Sequence, residues 1–248
     1  MYKKKFSLII QARLDSKRYK GKILKKINKM EILTIMLKRL KKKFGSKKIV
    51  VAIANKNHSK IISICKKQKV KFYLGNNRNV LERYYKCALK NKIKTIVRIP
   101  SDCPLIDPII IEKGVKKFFR TRADYVSNLI PASYIDGNDV EVFSFKTLNK
   151  IYDKAQSKFD KEHVTTYLRR NKSLFKIVNF KDSENLSLKY RLTLDYKEDL
   201  IVIKKILKNN SIYLNYKTIS KMFKKKPSIS KINNKFIGTM WYQKKINL

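Results

Sequence analysis

A cluster of positively charged side chains follows the first apolar run of the chain. The run at 6–10 is brief and bounded by polar residues, which predicts a buried strand. The loop after it contains Gly21 and a set of polar or charged residues: Arg13, Ser16, Lys17, Arg18, Lys20 and Lys22. Many α/β proteins bind phosphate groups with such a loop at the carboxyl end of a strand. We therefore expect this loop to bind a nucleoside triphosphate.

Two acidic residues follow predicted strands. Asp102 comes after the strand predicted at 95–99, in a loop with two prolines, and Asp195 follows the strand predicted at 190–194. If both strands are parallel members of one sheet, the two carboxylates reach the same edge as the cationic loop. Mg²⁺ binds to such pairs, with substrate phosphates and water completing its coordination. Taken singly, Asp102 is at least as well explained as a turn residue, and Asp195 as a helix N-cap.

Two further acidic residues and a histidine are candidates for substrate contacts. Asp139 and Glu141 are two residues apart and lie on one face of a predicted strand. They contact a polar substrate or form the solvent-exposed face of the strand, and composition favours the solvent-exposed face. His163 lies beside Glu162 early in a predicted helix. A single helical histidine is more often structural than a ligand, so both interpretations stay open.

The charge of the chain raises the hypothesis of a polyanion-binding protein. The 248 residues include 61 basic and 18 acidic ones, a formal net charge of +43. Only 11 of the basic residues are arginines, and the 50 lysines are spread over nearly every segment. Nucleic-acid-binding proteins more often concentrate their charge on one face and use arginine for bidentate contacts. We therefore interpret the charge as a lysine-rich solvated surface and expect no specific nucleic-acid partner.

The three cysteines, Cys65, Cys87 and Cys103, show no CxxC spacing. An odd number without that spacing indicates neither a disulfide framework nor a zinc site, which fits a reducing compartment. The N-terminal apolar run is too short for a signal peptide, and no stretch reaches the roughly 18 apolar residues of a membrane helix. We expect a cytoplasmic protein without a membrane partner.

Hydrophobic periodicity predicts the order of helices and strands. Helices are predicted at 31–43, 59–68, 80–91, 108–119, 146–155, 161–171, 197–208 and 216–223. Strands are predicted at 6–10, 49–54, 70–74, 95–99, 124–130, 139–145, 175–180 and 190–194. The alternation and the short connections predict an α/β fold with a doubly wound, mixed, mainly parallel sheet. The glycines of a dinucleotide fingerprint and of a P-loop are missing, which excludes both of those phosphate sites.

The chain shows no internal repeat and no flexible linker. We therefore expect a single domain at 1–223. The residues at 224–248 are rich in lysine and asparagine and contain Pro227. They are predicted to form a peripheral tail with aromatic anchors at Phe236 and Trp241.

Seven sequence blocks occur in a specific order: IIQARLDSKRYKGKIL, NVLERYY, IVRIPSDCPLIDP, DYVSN, DGNDVEVFSF, KEHVTTYLRRN and RLTLDYKEDL. Together they resemble the cytidylyltransferase family of spore-coat polysaccharide biosynthesis protein F, which is related to the CMP-ulosonate and acylneuraminate cytidylyltransferases. The resemblance implies a nucleotide-diphospho-sugar transferase (GT-A-like Rossmann-type) fold and a cytidylyltransferase that uses CTP and Mg²⁺. This sequence departs from the family pattern at Asp15, where glycine is usual, and at Lys20, where proline is usual.

The resemblance also implies roles for individual residues. The nucleotide site would comprise Ala12, Arg13, Ser16, Arg18, Lys22 and Asp102. The metal would be bound by Asp102 and Asp195. The residues that would face the sugar are Asp136, Asp139, Glu141 and His163.

The implied reaction transfers CMP from CTP to a sugar acid or a sugar phosphate for polysaccharide biosynthesis and releases pyrophosphate. Arg13, Arg18 and Lys22 would act in catalysis by stabilising the charge of the departing phosphates. A nucleotide-sugar-dependent glycosyltransferase is the second hypothesis, although Asp102-Cys103-Pro104 does not supply the D-x-D motif typical of those enzymes. A nonenzymatic polyanion binder is the third. A homodimer is expected from the resemblance alone, because no feature of the chain marks an interface.

Overall fold

The computed structural model describes residues 5–55 and 58–239. Its strands are β1 (Ser7–Ala12), β2 (Lys26–Ile27), β3 (Met30–Glu31), β4 (Ile49–Ala54), β5 (Lys71–Gly75), β6 (Thr95–Pro100), β7 (Tyr125–Ser127), β8 (Glu141–Ser144) and β9 (Ile177–Asn179). Within the described residues, seven of them form one sheet in the order β5-β4-β1-β6-β8-β7-β9, and β2 and β3 form a separate hairpin.

The helices flank this sheet. They are α1 (Ile32–Phe44), α2 (Ser59–Lys67), α3 (Val80–Lys90), α4 (Pro108–Thr121), α5 (Phe145–Lys154), α6 (Lys158–His163), α7 (Thr166–Arg170), α8 (Lys197–Leu207), α9 (Tyr216–Lys225) and α10 (Pro227–Ser230). Side-chain caps fix several of the starts. The Asn79 side chain accepts from the Glu82 backbone N–H at the start of α3, and Asp107 accepts from the Ile109 N–H at the start of α4.

Four neighbouring strands run parallel and end at the same edge of the sheet. Strand β1 pairs in parallel with both β4 and β6, and β4 pairs in parallel with β5. Strand β8 is antiparallel to β6 and β7, which makes the sheet mixed. The predicted α/β class with a mixed, mainly parallel sheet is confirmed. Residues that follow β1, β4, β5 and β6 are therefore collected at one edge.

Both faces of the sheet are buried, as continuous apolar strands require. Leu8 and Ile10 of β1 pack into one hydrophobic cluster with helices α1 and α4. Ile9, between them, packs into a second cluster with α3 and α5. A third cluster, built largely from α8, α9 and the hairpin, includes Leu192 and Leu194. This third cluster fixes the segment that leads to Asp195.

The predicted helix at 161–171 is divided in two. Helix α6 ends at His163, and Val164 adopts a left-handed φ of 63° before α7 begins at Thr166. Buried polar contacts explain the break. Thr166 donates to the Asp160 carboxylate across it, and Thr165 donates to Glu141 at 2.6 Å.

The predicted strand at 190–194 does not join the sheet. It makes only an isolated bridge between Asp136 and Arg191 among the described residues. The Arg191 guanidinium is fully buried among the carboxylates of Asp136, Asp195 and Asp199, so ion pairs replace a strand ladder here. Gly137 permits this approach, since its φ is 99° and a Cβ would lie 2.7 Å from the Thr193 nitrogen.

Three other predicted strands are shorter than expected, at 124–130, 139–145 and 175–180, and the last of these is β9. Beyond β7, side-chain hydrogen bonds of Asn128 take the place of regular strand pairing with the segment before β8. The Asn128 amide nitrogen donates to the Asn138 carbonyl, and its amide oxygen accepts from the Val140 N–H. The paired residues are therefore Tyr125–Ser127 and Glu141–Ser144.

The segment predicted as a peripheral tail contacts the fold through specific residues. Asn233 is 1% exposed and donates to the Arg191 carbonyl and to the Asp199 carboxylate. Phe236 stacks on Tyr196 with ring centroids 3.7 Å apart, as expected for an aromatic anchor. Trp241 lies outside the described residues.

Candidate active site

The cationic loop after β1 closes on itself and directs Lys22 inward. The Gly21 N–H donates to the Leu14 carbonyl at 3.0 Å, and Gly21 has a φ of 65°, which favours glycine. A short 3₁₀ helix, Lys22–Leu24, follows. Lys22 is only 6% exposed although it carries a charge, so its ammonium group must have partners inside the protein.

Those partners are the two aspartates that the sequence placed at strand ends. The Lys22 Nζ lies 2.7 Å from Asp102 Oδ2 and 2.7 Å from Asp195 Oδ1. Burial lowers the pKa of this ammonium, but the two carboxylate charges and their hydrogen bonds raise it overall. The Leu194 N–H donates to the Asp102 carbonyl at 2.7 Å and joins the two segments. The expected meeting of both carboxylates with the loop is therefore observed.

Asp195 is held by a dense set of contacts. Arg18 pairs with its Oδ2, and Arg191 lies 3.4 Å from the same oxygen. The N-cap of α8 is Tyr196 and not Asp195, whose backbone N–H donates to Asp199 Oδ2 at 2.8 Å. Burial raises the pKa of Asp195, but the charges of Lys22, Arg18 and Arg191 lower it overall. Asp195 is therefore a carboxylate at neutral pH.

Arg13 is partly exposed and makes longer contacts with carboxylates than Arg18 and Lys22 do. Its Nε lies 3.8 Å from Asp15 and its Nη2 lies 3.7 Å from Glu162, and 43% of its side chain is exposed. Asp15, the acidic residue that departs from the family pattern, thus faces Arg13. All three cations therefore face carboxylates of the chain itself: Arg13, Arg18 and Lys22.

The other residues of the loop differ in their exposure to solvent. Ser16 is half-buried, and Lys20 is exposed to solvent. Ala12, the last residue of β1, is buried at the base of the loop. Ser16 and the three cations thus belong to the loop that follows the buried strand β1.

Glu141 does not form a solvent-exposed face, which corrects the interpretation favoured by composition. It is 1% exposed, and its Oε1 accepts from Tyr125 and Thr165 at 2.6 Å and from Arg169 at 3.1 Å. Its Oε2 accepts from Arg98. Both carboxylate oxygens are therefore bound by protein groups, and Glu141 joins β8 to α7 rather than presenting a group to a sugar.

Asp136 is held in a similar way. Its Oδ2 accepts from Arg191 and its Oδ1 from Thr193, each at 2.7 Å, and the residue is 3% exposed. Asp139 is also buried, at 7% exposure, so the solvent-face interpretation is wrong for it as well. The structure therefore makes Asp136 a support for the segment that carries Asp195.

His163 lies on the same side of the site as Arg13. It ends α6, and its ring contacts Phe159 with centroids 4.5 Å apart. Burial lowers the pKa of His163 below its usual value. The charge of Glu162 raises this pKa, whereas the positive charges of Arg98 and Arg13 lower it. The imidazole is therefore neutral at physiological pH.

Three polar residues that sequence reasoning did not single out lie near the ends of adjacent strands. Among the described residues, no group pairs with the buried side-chain atoms Gln11 Oε1, Asn77 Oδ1 and both ring nitrogens of His58. Gln11 is near the end of β1, His58 precedes α2, and Asn77 follows β5. The charges of Asp15 and Arg83 act on His58, which places it beside the loop. Buried polar atoms usually have partners, so these atoms are candidates for contacts with a bound ligand. The only signal in the sequence was a polar residue after each parallel strand.

With this geometry established, a family model described as cytidylyltransferase matches residues 7–219. The chain belongs to the cytidylyltransferase family. Cytidylyl transfer from CTP is the reaction that names the family. Of the three functions that the sequence left open, the match selects nucleotidyl transfer over glycosyl transfer and over a nonenzymatic polyanion binder.

Two relatives cover most of this cytidylyltransferase. An uncharacterized protein of Methanocaldococcus jannaschii is 35% identical over 91% of this chain and 93% of its own. The spore coat polysaccharide biosynthesis protein SpsF of Bacillus subtilis is 30% identical over 79% of this chain and 83% of its own. The family recognised from the seven blocks is thereby confirmed.

Solved structures agree with the fold. A cytidylyltransferase from Leptospira borgpetersenii is 31% identical, with a TM-score of 0.86 over 91% of this chain and 96% of that one. A CMP:2-keto-3-deoxy-manno-octonic acid synthetase complexed with CTP has a TM-score of 0.65 at 13% identity and covers 83% of this chain and 99% of that one. This second likeness shows the fold alone. Across residues 5–55 and 58–239, none of the helices is long and apolar enough to cross a bilayer.

Proposed function

We propose that this cytidylyltransferase transfers CMP from CTP to an anionic sugar, either a sugar acid or a sugar phosphate, for the synthesis of a surface polysaccharide. The observation that carries the proposal is the meeting of three cations and two carboxylates at the carboxyl ends of β1 and β6. The named role of the Bacillus subtilis relative supports a polysaccharide product. The fold shared with a synthetase that was complexed with CTP supports the nucleotide.

The nucleotide would bind by an exchange of ion pairs. In the free protein Arg18 and Lys22 are neutralised by Asp195 and Asp102. The triphosphate would draw Arg13, Arg18 and Lys22 toward its oxygens, and these cations would stabilise the charge that moves onto pyrophosphate. Attack by a sugar oxygen on the α-phosphorus forms the new P–O bond as the bond to pyrophosphate breaks.

Asp102 and Asp195 fit a magnesium ion by the chemistry of their donors. Their oxygens converge on one ammonium nitrogen, and the side chain of Asp102 is 27% exposed, so a cation from solvent can reach the pair. No cluster of three or more metal-ligating side chains exists in the described residues, which suits an ion that takes its other ligands from phosphates and water. Bound magnesium would supply charge neutralisation for the phosphates.

The base and the sugar would bind on opposite sides of the loop. Gln11, His58 and Asn77 offer the unpaired polar atoms for the edge of the cytosine, next to Ala12. On the other side, Asp139 and His163 would contact the sugar, as the sequence blocks led us to expect. The neutral imidazole of His163 is suited to accept a proton or a hydrogen bond from the attacking hydroxyl group.

Supporting roles follow for the two buried acids that were expected at the sugar. Glu141 would keep the turn between α6 and α7 in place, and with it His163. Asp136 would keep Arg191, and through it Asp195, in place. We therefore propose positioning roles for Asp136 and Glu141.

The protein would act in the cytoplasm, where CTP is available. Its three cysteines are free and buried, which fits a reducing compartment.

Pyrophosphate release tests the proposed function. The protein is incubated with CTP, Mg²⁺ and a panel of sugar acids, sugar phosphates and neutral sugars. We expect pyrophosphate with an anionic sugar and CTP, and thermal stabilisation by CTP above that by the other nucleoside triphosphates. Release with neutral sugars only would contradict the proposed acceptor, and a lack of stabilisation by CTP would contradict the proposed nucleotide.

A further inference from the structure

The C-terminal segment covers the start of helix α8 with a short 3₁₀ helix, Lys231–Phe236. Three of its side chains contact residues in the first turn of α8 or at its N-cap. These contacts are Asn233 with Asp199, Lys235 with Glu198, and Phe236 with Tyr196. The residues that match the family model end at 219, so this cover comes from outside them.

Tyr196 is held by this segment at its backbone and at its ring. The Tyr196 backbone N–H donates to the Asp199 carboxylate at 2.9 Å, and the Asn233 amide donates to the same carboxylate at 2.8 Å. The rings of Tyr196 and Phe236 are nearly parallel, with an angle of 6° and centroids 3.7 Å apart. The Tyr196 ring cannot turn without breaking this stack. The C-terminal segment therefore fixes the orientation of the Tyr196 ring.

The Tyr196 ring lies beside two guanidinium groups that pair with Asp195. The Cζ atom of Arg18 is 5.6 Å from the ring centroid, and that of Arg191 is 6.0 Å from it. Both distances are within the range in which an aromatic ring attracts a cation. Arg191 is fully buried among carboxylates, whereas 51% of the Arg18 side chain is exposed. Arg18 is therefore the guanidinium that can reorient beside this ring.

We propose that Phe236, acting through the Tyr196 ring, positions Arg18 for the phosphates of CTP. The inference rests on the phosphate-binding role proposed for Arg18, in which the guanidinium turns from Asp195 to the nucleotide. An arginine loses rotamer freedom when a ligand fixes it, and a ring that restricts it beforehand reduces that loss. The ring can keep its attraction during the turn, because this attraction requires no single hydrogen-bond geometry. Phe236 is thus a positioning residue.

A purely structural role of the stack makes a different prediction. A stack that only fastens the C-terminal segment would act on stability, and its loss would change CTP affinity by the same factor with and without Arg18. A stack that positions Arg18 affects CTP affinity only while the guanidinium is present. A double-mutant cycle between Phe236 and Arg18 separates the two roles.

Isothermal titration with CTP and Mg²⁺, without a sugar, measures this cycle. Phe236→Ala should weaken CTP binding about two- to fivefold, the contribution of one exposed contact between a cation and a ring. The same substitution made together with Arg18→Ala should weaken binding no further than Arg18→Ala alone. Because no sugar is present, the result does not depend on the identity of the acceptor.

Three further variants serve as controls. Phe236→Leu keeps apolar volume but removes the flat ring, so it should bind CTP as Phe236→Ala does. Phe236→Tyr keeps the ring and should bind CTP as the wild type does. Tyr213→Ala removes another ring beside a cation, with Lys42 Nζ 4.1 Å from its centroid near the end of α1, and should leave CTP affinity unchanged. Thermal melting checks that each variant folds.

Two results would overturn the inference and leave the proposed function in place. One is unchanged CTP affinity in Phe236→Ala and Phe236→Leu while Arg18→Ala binds CTP more weakly. The other is an equal loss of affinity on removal of the Phe236 ring with and without Arg18. Unchanged CTP affinity in Arg18→Ala would instead contradict the proposed role of Arg18 itself, and this inference with it.

Discussion

At the scale of single residues, the loop cations and their carboxylate partners decide what the site can do. Arg18 has 51% of its side chain exposed while it pairs with a carboxylate that is almost fully buried. An exposed arginine of this kind contributes little to stability but is well placed to change partners. Its importance should therefore appear in catalysis and not in folding.

Arg18→Ala should reduce turnover by about 10²–10³, the range found when one charge-stabilising donor is removed. Its melting temperature should stay that of the wild type. Lys17→Ala, one position away and equally exposed, is the control and should retain its turnover. Full turnover in Arg18→Ala would contradict the role assigned to this guanidinium.

Asp15 competes with phosphate for Arg13. Asp15→Asn removes the charge and keeps the size, so CTP should bind more tightly, by up to about fivefold, since an exposed ion pair is worth up to about 1 kcal/mol. Isothermal titration of CTP with Mg²⁺ measures the change, and Asp153→Asn on the exposed side of α5 serves as the control. Weaker binding in Asp15→Asn would show that the carboxylate takes part in the nucleotide site.

At the scale of elements, Glu141 connects β8, β7, β6 and α7 through one buried carboxylate. Burial raises the pKa of Glu141, but Arg98, Arg169 and the hydroxyl donors lower it from 4.5 to about 2. Because the folded-state pKa is depressed, the stabilisation is present above the ordinary pKa and is lost as the pH falls toward about 2.

Glu141→Gln should therefore be about 3 kcal/mol less stable than the wild type near neutral pH, and the difference should shrink as the pH approaches 2. Urea unfolding at several pH values measures both quantities. Asp153→Asn, at an exposed position of α5, is the control and should follow the wild-type curve closely. A difference that does not depend on pH would show that packing, and not charge, is the contribution of Glu141.

The buried amide of Asn233 attaches the C-terminal segment to the residues that support the site. Asn233→Ala leaves the Asp199 oxygen and the Arg191 carbonyl without this donor, and it should cost about 1–3 kcal/mol of stability. Asn234→Ala, at an exposed neighbouring position, should cost almost nothing. Equal melting temperatures for the two variants would show that this attachment is not needed.

At the scale of the whole molecule, the charge of +43 is a property of the surface. We expect labelled duplex DNA to bind at low salt and to dissociate steeply as NaCl increases, without base preference. Fluorescence anisotropy in a salt titration measures this. Binding that persists at physiological salt, or that depends on sequence, would point to a nucleic-acid partner that the composition arguments exclude.

The sequence by itself determined the α/β class, the elements that carry the loop and the family. Apolar runs of the right length mark buried strands wherever they occur, and glycine, arginine and aspartate spacings are local properties. The sequence also indicated that Asp102 and Asp195 meet the loop. The reason, that parallel strands end at one edge, holds for Asp102 after β6, whereas the segment before Asp195 stays outside the sheet and reaches Asp102 through the Leu194 N–H.

Only the tertiary structure decided which polar residues can contact a ligand and which ones stabilise the protein around the site. Glu141 and Asp139 alternate with valines as surface residues do, yet both are buried. For Glu141 the counter-charges come from Arg98 and Arg169, which are distant in the chain. The segment at 190–194 has the composition of a strand, but the ion pairs of Arg191 hold it in place outside the sheet. Such outcomes depend on which charges become neighbours after folding, and a local pattern carries no information on that.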